Sequence, residues 1–445
     1  MQINKNAEKL IRQLNNQGYE AFIVGGCVRD YLLGLTPHDT DICTNALPEQ
    51  TKKCFEAYHT FDTGIKHGTI SVVCGGEVTT YRIDGDYSDN RHPDSVSFTR
   101  NINEDLQRRD FTVNAMAYNA EYGLVDPYGG KNDLKDKIIR CVGNPDTRFN
   151  EDALRILRAL RFASVYGFSI EVNTSKSIFK NADLLKNIAT ERVISEFLKL
   201  ICGKDAVKIL DAYRETIAVI IPEITVMFNF NQNNIHHSYD LWQHTLIALG
   251  TIEPNPILRM TMLLHDIGKP SVKTTDNSGQ SHFQGHQLES KKIADRILHR
   301  LRLPSDFINK TLLLIEYHDV RFNGSKKLMK KVMNVLGTDL TKQLLEVEYA
   351  DISAQSEYQR EEKLGYLSTA KTHLNEIIKD NECFKLSQLD INGKDVLNLG
   401  VKEGRDVGNI LDYLLMLVVD ANVPNKKSIL ISKAKEYIYG NQINK

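Results

Sequence analysis

Residues 21–30, Ala-Phe-Ile-Val-Gly-Gly-Cys-Val-Arg-Asp, and residues 39–42, Asp-Thr-Asp-Ile, decide how this chain is read. The apolar run Ala21–Val24 predicts a buried strand that stops at Gly25-Gly26, and Val28 to Leu35 predict a helix. Paired glycines let backbone N–H groups approach phosphates closely, and a helix start favours anions. Two glycines also serve many tight turns that bind nothing. In the second stretch, an extended backbone puts Asp39 and Asp41 on one face. Two neighbouring oxygen-only side chains suit hard Mg²⁺ ions that hold a triphosphate. A pair of such ions can activate a hydroxyl and neutralise departing pyrophosphate. The bland alternative is a solvated acidic loop.

Working outward, a helix is expected over about 4–17, and a hairpin from Thr69–Cys74 and Glu77–Ile83 around Gly75-Gly76. Leu106–Asn114 (LQRRDFTVN) sets two arginines beside an acid. Forked arginine donors suit phosphate, although a surface ion pair would read the same way. Strand signals fade beyond about 147; residues 151–165 and 190–202 carry helical periodicity, with Asn150 where an N-cap would open the first. Within it, Asp152 and Arg155 are three apart and share a helix face, as any i,i+3 ion pair would. Cytosine and adenine both present an amino donor beside a ring-nitrogen acceptor. A carboxylate next to a guanidinium complements that edge, whereas uracil and guanine would leave both groups mispaired. One such pair could accept CTP and ATP without a nucleic-acid template.

At 445 residues the chain is too long for one core, and a prior of ~150 residues per domain gives about three domains. The formal charge of −1 requires any nucleic-acid binding to rest on local basic groups. Seven scattered cysteines without a C-x-x-C pair indicate a reduced protein, not a disulfide or zinc scaffold. The polar N-terminus and the lack of any run of about 18 apolar residues predict a cytoplasmic protein without a membrane span.

GGCVRD (25–30), DTD (39–41), RRDFTVNA (108–115) and EDALR (151–155) resemble, in order and spacing, the bacterial class II tRNA nucleotidyltransferase and poly(A) polymerase family. The likeness extends over roughly the first 200 residues. It implies that Asp39 and Asp41 are catalytic and bind Mg²⁺. Gly25, Gly26 and Arg29 would hold the triphosphate, and Arg109, Asp110 and Asn114 would line the nucleotide site. Glu151, Asp152 and Arg155 would select the base, in agreement with the hydrogen-bond argument. Lys66-His67-Gly68-Thr69 matches a further family segment, and Glu191–Glu196 looks like the neck element that follows. The family loop matching Asp84–Pro93 is one that enzymes adding only CC have shortened, so its presence argues against a CC-only enzyme. Addition of A alone and poly(A) synthesis remain alternatives; the mildly basic C-terminus speaks against the latter.

A second resemblance lies further along. His244, His265-Asp266, His286, His318 and Asp351 follow one another as in the HD phosphohydrolase superfamily. By that likeness His244, His265, Asp266 and Asp351 would bind one metal, with His286 and His318 available to a second. Imidazole with carboxylate suits Ni²⁺, Mn²⁺ or another divalent transition metal. A metal-activated water would then attack phosphorus, with phosphomonoesters or 2′,3′-cyclic phosphates on RNA ends as substrates. Leu389–Arg405 resembles the family's tail, whose basic residues would contact tRNA.

The expected architecture is α+β: a small N-terminal mixed-sheet, palm-like nucleotidyltransferase head followed by an elongated all-α neck, HD domain and tail. The boundaries are 1–146, 147–232, 233–355 and 356–445, with 230–236 as linker. The expected partners are the tRNA 3′ end, ATP and CTP. An HD phosphohydrolase with a merely nucleotide-binding head is the alternative of another class, and a noncatalytic RNA binder would have no use for Asp39 and Asp41.

Overall fold

A computed structural model describes residues 3–443 apart from 38, 74, 75, 86, 88–92 and 403. The chain divides into two compact units, Met1–Thr225 and Val226–Lys445. The first is α+β, as expected. Its strands in chain order are β1 (Ala21–Val24), β2 (Ile42–Thr44), β3 (Thr60–Gly64), β4 (Thr69–Val72), β5 (Gly76–Thr80), β6 (Arg82–Asp84), β7 (Val96–Phe98), β8 (Ala117–Asn119) and β9 (Gly123–Val125). Seven form one mixed sheet in the order β3-β4-β5-β2-β1-β8-β9, with β2 and β5 parallel and the other neighbours antiparallel. Strand β1 is buried at all four residues because it is interior to this sheet. Phe22, Val24, Cys43, Leu106 and Ala117 share one core cluster.

The expected hairpin forms from β4 and β5, but the run Glu77–Ile83 is divided. Tyr81 is fully buried and its N–H still donates to Thr44 O of β2 (2.8 Å). Residues beyond it pair separately, β6 with β7. Of the expected loop Asp84–Pro93, Asp86 and Ser88–His92 lie outside the described residues. The remainder past 147 is not wholly helical: Ser169–Ile170 pairs with Ile138–Ile139, and Thr274–Thr275 with Ser281–His282. Strands of two residues are too short to leave a periodicity.

Asn150 is not an N-cap. Asn144-Pro145 opens a helix earlier, Pro145–Glu151, with the Asn144 side chain accepting from Asp146 N. Asparagine as cap and proline at the first helical position are the start signal that fits. Asp152 then breaks the helix (φ −140°, ψ 102°), and a second helix runs Leu154–Tyr166. That helix packs along Thr190–Ile201. Their ends meet at Gly203, where a Cβ would stand 2.1 Å from Ser164 Oγ and 2.6 Å from its carbonyl carbon.

The second unit is helical. Leu241–Thr251, Pro256–Leu264, His286–Arg300, Ser305–Tyr317 and Lys326–Ala354 pack around a core that includes fully buried Trp242. Gly337 (φ 71°, ψ 175°) divides the longest of them into two helices. Residues 230–236 are no loose linker: Gln232 is 1% exposed and accepts from Lys269 Nζ (3.0 Å), and Asn234 Nδ2 donates to Ser281 O (2.8 Å). Helices Gly393–Leu397, Arg405–Val419 and Lys427–Ile443 build a separate core around Ile410, Leu414 and Leu430. Within the tail segment Leu389–Arg405, the helix Gly393–Leu397 is capped by Asn392. Among the described residues no helix is long and apolar enough to cross a membrane.

Gly203→Ala is expected to destabilise the first unit by about 1–3 kcal/mol through overpacking, read as a lowered denaturation midpoint.

Candidate functional site

The first unit brings its four sequence motifs to one place. Gly25 has φ +79° and ψ −132°, a conformation that strains any L-residue with a side chain. A Cβ there would meet Arg109 Nη1 at 3.0 Å. Val24 N donates to Asp41 O (3.0 Å) and Gly25 N to Met116 O (3.1 Å), so the glycine turn lies between the acidic segment and the RRD segment. Asp39 and Asp41 are both exposed beside the buried start of β2, as an extended backbone requires. Withdrawal from bulk water raises the Asp41 carboxyl above its ordinary value; Arg109 opposes this and Asp39 adds to it. Two mutually repelling carboxylates, one of them beside the Arg109 guanidinium, fit a divalent cation, which would relieve the repulsion.

Arg109 owes its position to Asp105, a residue the sequence reading passed over. Asp105 is 1% exposed. Its Oδ2 accepts from Arg109 Nη2 (3.1 Å) and its Oδ1 from Arg108 Nε and Nη2 (3.0 and 2.7 Å). Burial pushes this carboxyl up, but Arg109 and Arg108 outweigh it and hold the group ionised.

Asp110 is buried as well. It accepts from Asn114 Nδ2 (3.0 Å) and Phe111 N (2.8 Å) through Oδ1, and from Arg158 Nε (2.8 Å) through Oδ2. Burial raises its pKa, yet Arg158 and the Asn114 bond bring it down to about 2. Arg158 was not singled out from the sequence; its three-residue spacing from Arg155 was the available signal. Arg29, 7% exposed, donates to Asn114 Oδ1 (2.6 Å) and Asp30 Oδ1 (2.9 Å), with its guanidinium over the rings of Phe162 and Tyr166. In this state Arg29 pins the glycine turn to the helix Leu154–Tyr166.

The expected Asp152–Arg155 side-chain pair does not form: Arg155 N donates to Asp152 O (3.0 Å), but the two side chains take other partners. Arg155 Nη1 donates to Glu151 Oε2 (2.6 Å) and Nη2 to Arg108 O (3.0 Å). Asp152 accepts instead from Arg192 Nη2 (2.9 Å) and Leu154 N (3.1 Å). The side chain of Lys66 is not described; Arg82 Nη1 donates to the neighbouring His67 O (2.7 Å).

The histidine cluster assembles as expected. His244, His265, Asp266 and Asp351 offer ligand atoms within 4.8 Å of one another, and so do Asp266, His286 and His318. Asp266 joins the two groups. Its Oδ2 lies 3.5 Å from His244 Nε2 and 3.2 Å from His265 Nε2. Its Oδ1 lies 3.3 and 3.5 Å from the Nε2 atoms of His286 and His318. In all four histidines Nδ1 faces a backbone carbonyl, of Ala354, Met262, Phe283 and Ile315 respectively (2.6–3.2 Å). Donation from Nδ1–H fixes the tautomer and leaves each Nε2 as a lone pair turned inward, the arrangement of a metal-ligating imidazole. His286 and His318 then oppose their Nε2 atoms at 3.1 Å, which requires a proton or a cation between them. His265 Nε2 and Asp266 Oδ1 are buried without a hydrogen bond, and Asp266 Oδ2 faces the Lys269 ammonium at 2.6 Å. The donor set therefore fits one or two divalent ions. Without one, Asp266 and Asp351 overcome the effect of burial and push His265 up to about 10.

Two neighbours were not foreseen. Gln355 Nε2 donates to Asp351 Oδ2 (2.7 Å) and Lys363 Nζ to Gln355 Oε1 (2.6 Å). A cleft of ≈ 830 Å³ opens over the cluster, lined also by Lys269, Glu348 and Lys363.

Arg158→Met should cost about 3 kcal/mol at pH 7, because it leaves buried Asp110 ionised and unpaired. Asp110 is depressed from 3.8 to about 2, so its contribution is whole above pH 4 and disappears as pH falls through 2. Urea titrations should therefore show a smaller variant-to-wild-type gap at pH 3 than at pH 7.

Comparison with known proteins adds the following. Residues 21–140 match the model of the poly A polymerase head domain, 167–228 that of the "Probable RNA and SrmB-binding site of polymerase A", and 286–434 that of tRNA nucleotidyltransferase domain 2. A CCA-adding enzyme of Ligilactobacillus salivarius is 32% identical over 98% of this chain and 96% of its own length. One from Geobacillus thermodenitrificans is 44% identical over 56% of this chain, a match that covers 64% of that protein. Among solved structures, the Bacillus stearothermophilus CCA-adding enzyme in complex with CTP covers 100% of both chains at 28% identity with a TM-score of 0.73. The Thermotoga maritima CCA-adding enzyme complexed with tRNA shares the fold (TM-score 0.59) at 20% identity.

Proposed function

This chain belongs to the family of CCA-adding enzymes, since it matches one such relative almost end to end, and on that premise we propose that it is the tRNA nucleotidyltransferase that adds C, C and A to a tRNA 3′ end from CTP and ATP. In each step the 3′-hydroxyl oxygen bonds to the α-phosphorus of the incoming nucleotide. The bond from that phosphorus to the bridging oxygen breaks, pyrophosphate leaves, and the hydroxyl proton passes to solvent. Asp39 and Asp41 would hold Mg²⁺, which acidifies the hydroxyl and offsets the phosphate charge when bound. The observation that carries this reading is the placement of Arg109 against Gly25 and opposite Asp41. Its guanidinium offers forked donors to a triphosphate in a turn kept open by the missing side chain. Gly26 and Arg29 would keep that turn in shape, and Asp110 and Asn114 would anchor its far wall. Glu151, Asp152 and Arg155 would read the base edge.

At the histidine cluster we propose a second activity, metal-dependent hydrolysis of phosphomonoesters or 2′,3′-cyclic phosphates at RNA ends. His244, His265, Asp266 and Asp351 would hold one ion such as Ni²⁺ or Mn²⁺, and His286 and His318 with Asp266 a second. Bound metal supplies a water acidified toward neutral pH. The four inward-facing Nε2 atoms support this reading. A cytoplasmic location accords with a tRNA substrate.

Two variants separate the activities. With tRNA lacking its CCA end, CTP, ATP and Mg²⁺, Asp41→Ala should lose incorporation by about 10²–10³-fold or more and retain hydrolysis. His265→Ala should retain incorporation and lose hydrolysis in Ni²⁺ or Mn²⁺. Loss of both activities in either variant would contradict the assignment, and intact incorporation in Asp41→Ala would refute the proposed catalytic site.

A further inference from the structure

We propose that Lys363 is a substrate-binding residue of the histidine-cluster site, where it grips a phosphoryl oxygen and tunes the cleft to phosphomonoester dianions over 2′,3′-cyclic phosphates. The inference rests on the reading of that cluster as a metal-dependent phosphohydrolase. Lys363 lies on the helix Arg360–Lys379 and lines the cleft over the cluster. It is half-buried, and its ammonium has three N–H donors. One goes to Gln355 Oε1 at 2.6 Å, and His236 Nδ1 stands at 3.5 Å. Neither acceptor is an anion, since burial and the Lys363 charge hold His236 below its ordinary pKa. Among the described residues Lys363 forms no ion pair with a carboxylate. A cation partly withdrawn from water and left without an acid is stabilised by an anion from outside.

The acids around the cleft have other partners. Asp266 Oδ2 faces Lys269 Nζ at 2.6 Å, Asp319 lies 4.0 Å from Arg321 Nε, and Glu362 accepts from the Tyr366 hydroxyl. Burial pushes the Glu348 carboxyl up, so it adds little negative charge. Asp351 attracts Lys363 only from beyond Gln355, whose Nε2 donates to Asp351 Oδ2 at 2.7 Å. Lys363 therefore stands one amide group from a ligand of the cluster, within reach of a phosphoryl group seated there. Near neutral pH a phosphomonoester carries about two negative charges on three free oxygens. It has an oxygen to spare for Lys363 after two face the cluster. A 2′,3′-cyclic phosphate carries a single charge on two free oxygens and has none to spare. Hydrolysis of the monoester bonds a water oxygen to phosphorus and breaks the bond to the ribose oxygen, which leaves as a hydroxyl with a proton from that water. Lys363 would hold the charge on the phosphoryl oxygens throughout.

The test uses the full chain loaded with Mn²⁺, as wild type, Lys363→Met and Lys363→Arg. Calorimetry reads the affinities for Mn²⁺ and for inorganic phosphate. Kinetics read the ratio of kcat/KM for RNA ending in a 3′-phosphate to that for RNA ending in a 2′,3′-cyclic phosphate. Lys363→Met should bind phosphate about tenfold to a hundredfold more weakly. It should also lower the ratio and keep its Mn²⁺ affinity, with partial recovery of both losses in Lys363→Arg. If Lys363 only orients Gln355, Mn²⁺ affinity falls and the ratio holds; that outcome overturns the proposal. Should the methionine variant fail to fold, Lys363→Gln takes its place: weaker phosphate binding supports the proposal and unchanged binding overturns it. A wild-type protein that hydrolyses neither ester would refute the second activity. Phosphate affinity unaltered by the loss of Lys363 would refute this inference by itself, whether or not hydrolysis is seen.

Discussion

The first unit depends on one buried carboxylate placed between two arginines. Asp105 cannot stay ionised at 1% exposure without them, and neither arginine would hold its direction without Asp105. With the clamp in place, Arg109 closes on Gly25 and faces Asp41, while the backbone oxygen of Arg108 receives Arg155. Segments from four parts of the chain are thereby referred to a single anionic centre. A substrate triphosphate brings a large negative charge, and a site for it must hold positive charge in advance. Asp105 is the counterweight that lets those arginines exist inside the protein before the substrate arrives.

The histidine cluster uses the opposite charge logic. Its acids, Asp266 and Asp351, are surrounded by imidazoles and by the Lys269 ammonium, 2.6 Å from Asp266 Oδ2. The geometry is held from outside: backbone carbonyls fix the imidazoles, and Gln355, itself oriented by Lys363, fixes Asp351. Lys363 belongs to the helix Arg360–Lys379, so the cluster is oriented by residues that follow Asp351 in the chain.

Much of this was legible in the sequence. The strand Ala21–Val24, the glycine turn and the exposed acids of DTD could be read from residue types and spacing, whereas the six residues of the histidine cluster were named through their resemblance to a known superfamily. Asp152 was assigned the wrong partner because the reading extended one helix through residues 150–155. The Asn-Pro pair at 144–145 already marks an earlier start, and a shift of that kind changes which side chains share a face. Asp105 was missed for a different reason. It is an ordinary charged residue at a helix position, and only tertiary contact gives it a role. The division of Glu77–Ile83 into two strands falls at Tyr81, whose burial no local pattern announces.

The anchoring of all four imidazoles on main-chain oxygens has an evolutionary consequence. Where a metal site relies on side-chain carboxylates to orient its histidines, those carboxylates must be retained together with the ligands, and drift can disable the site from outside. A carbonyl is present whichever amino acid occupies the position. Residues 262, 283, 315 and 354 can therefore change identity, within what their packing allows, while the same imidazole nitrogen keeps facing the centre. Lineages that abandon this site would be expected to lose the histidines themselves, abruptly and visibly. Those that keep it could diverge widely around it.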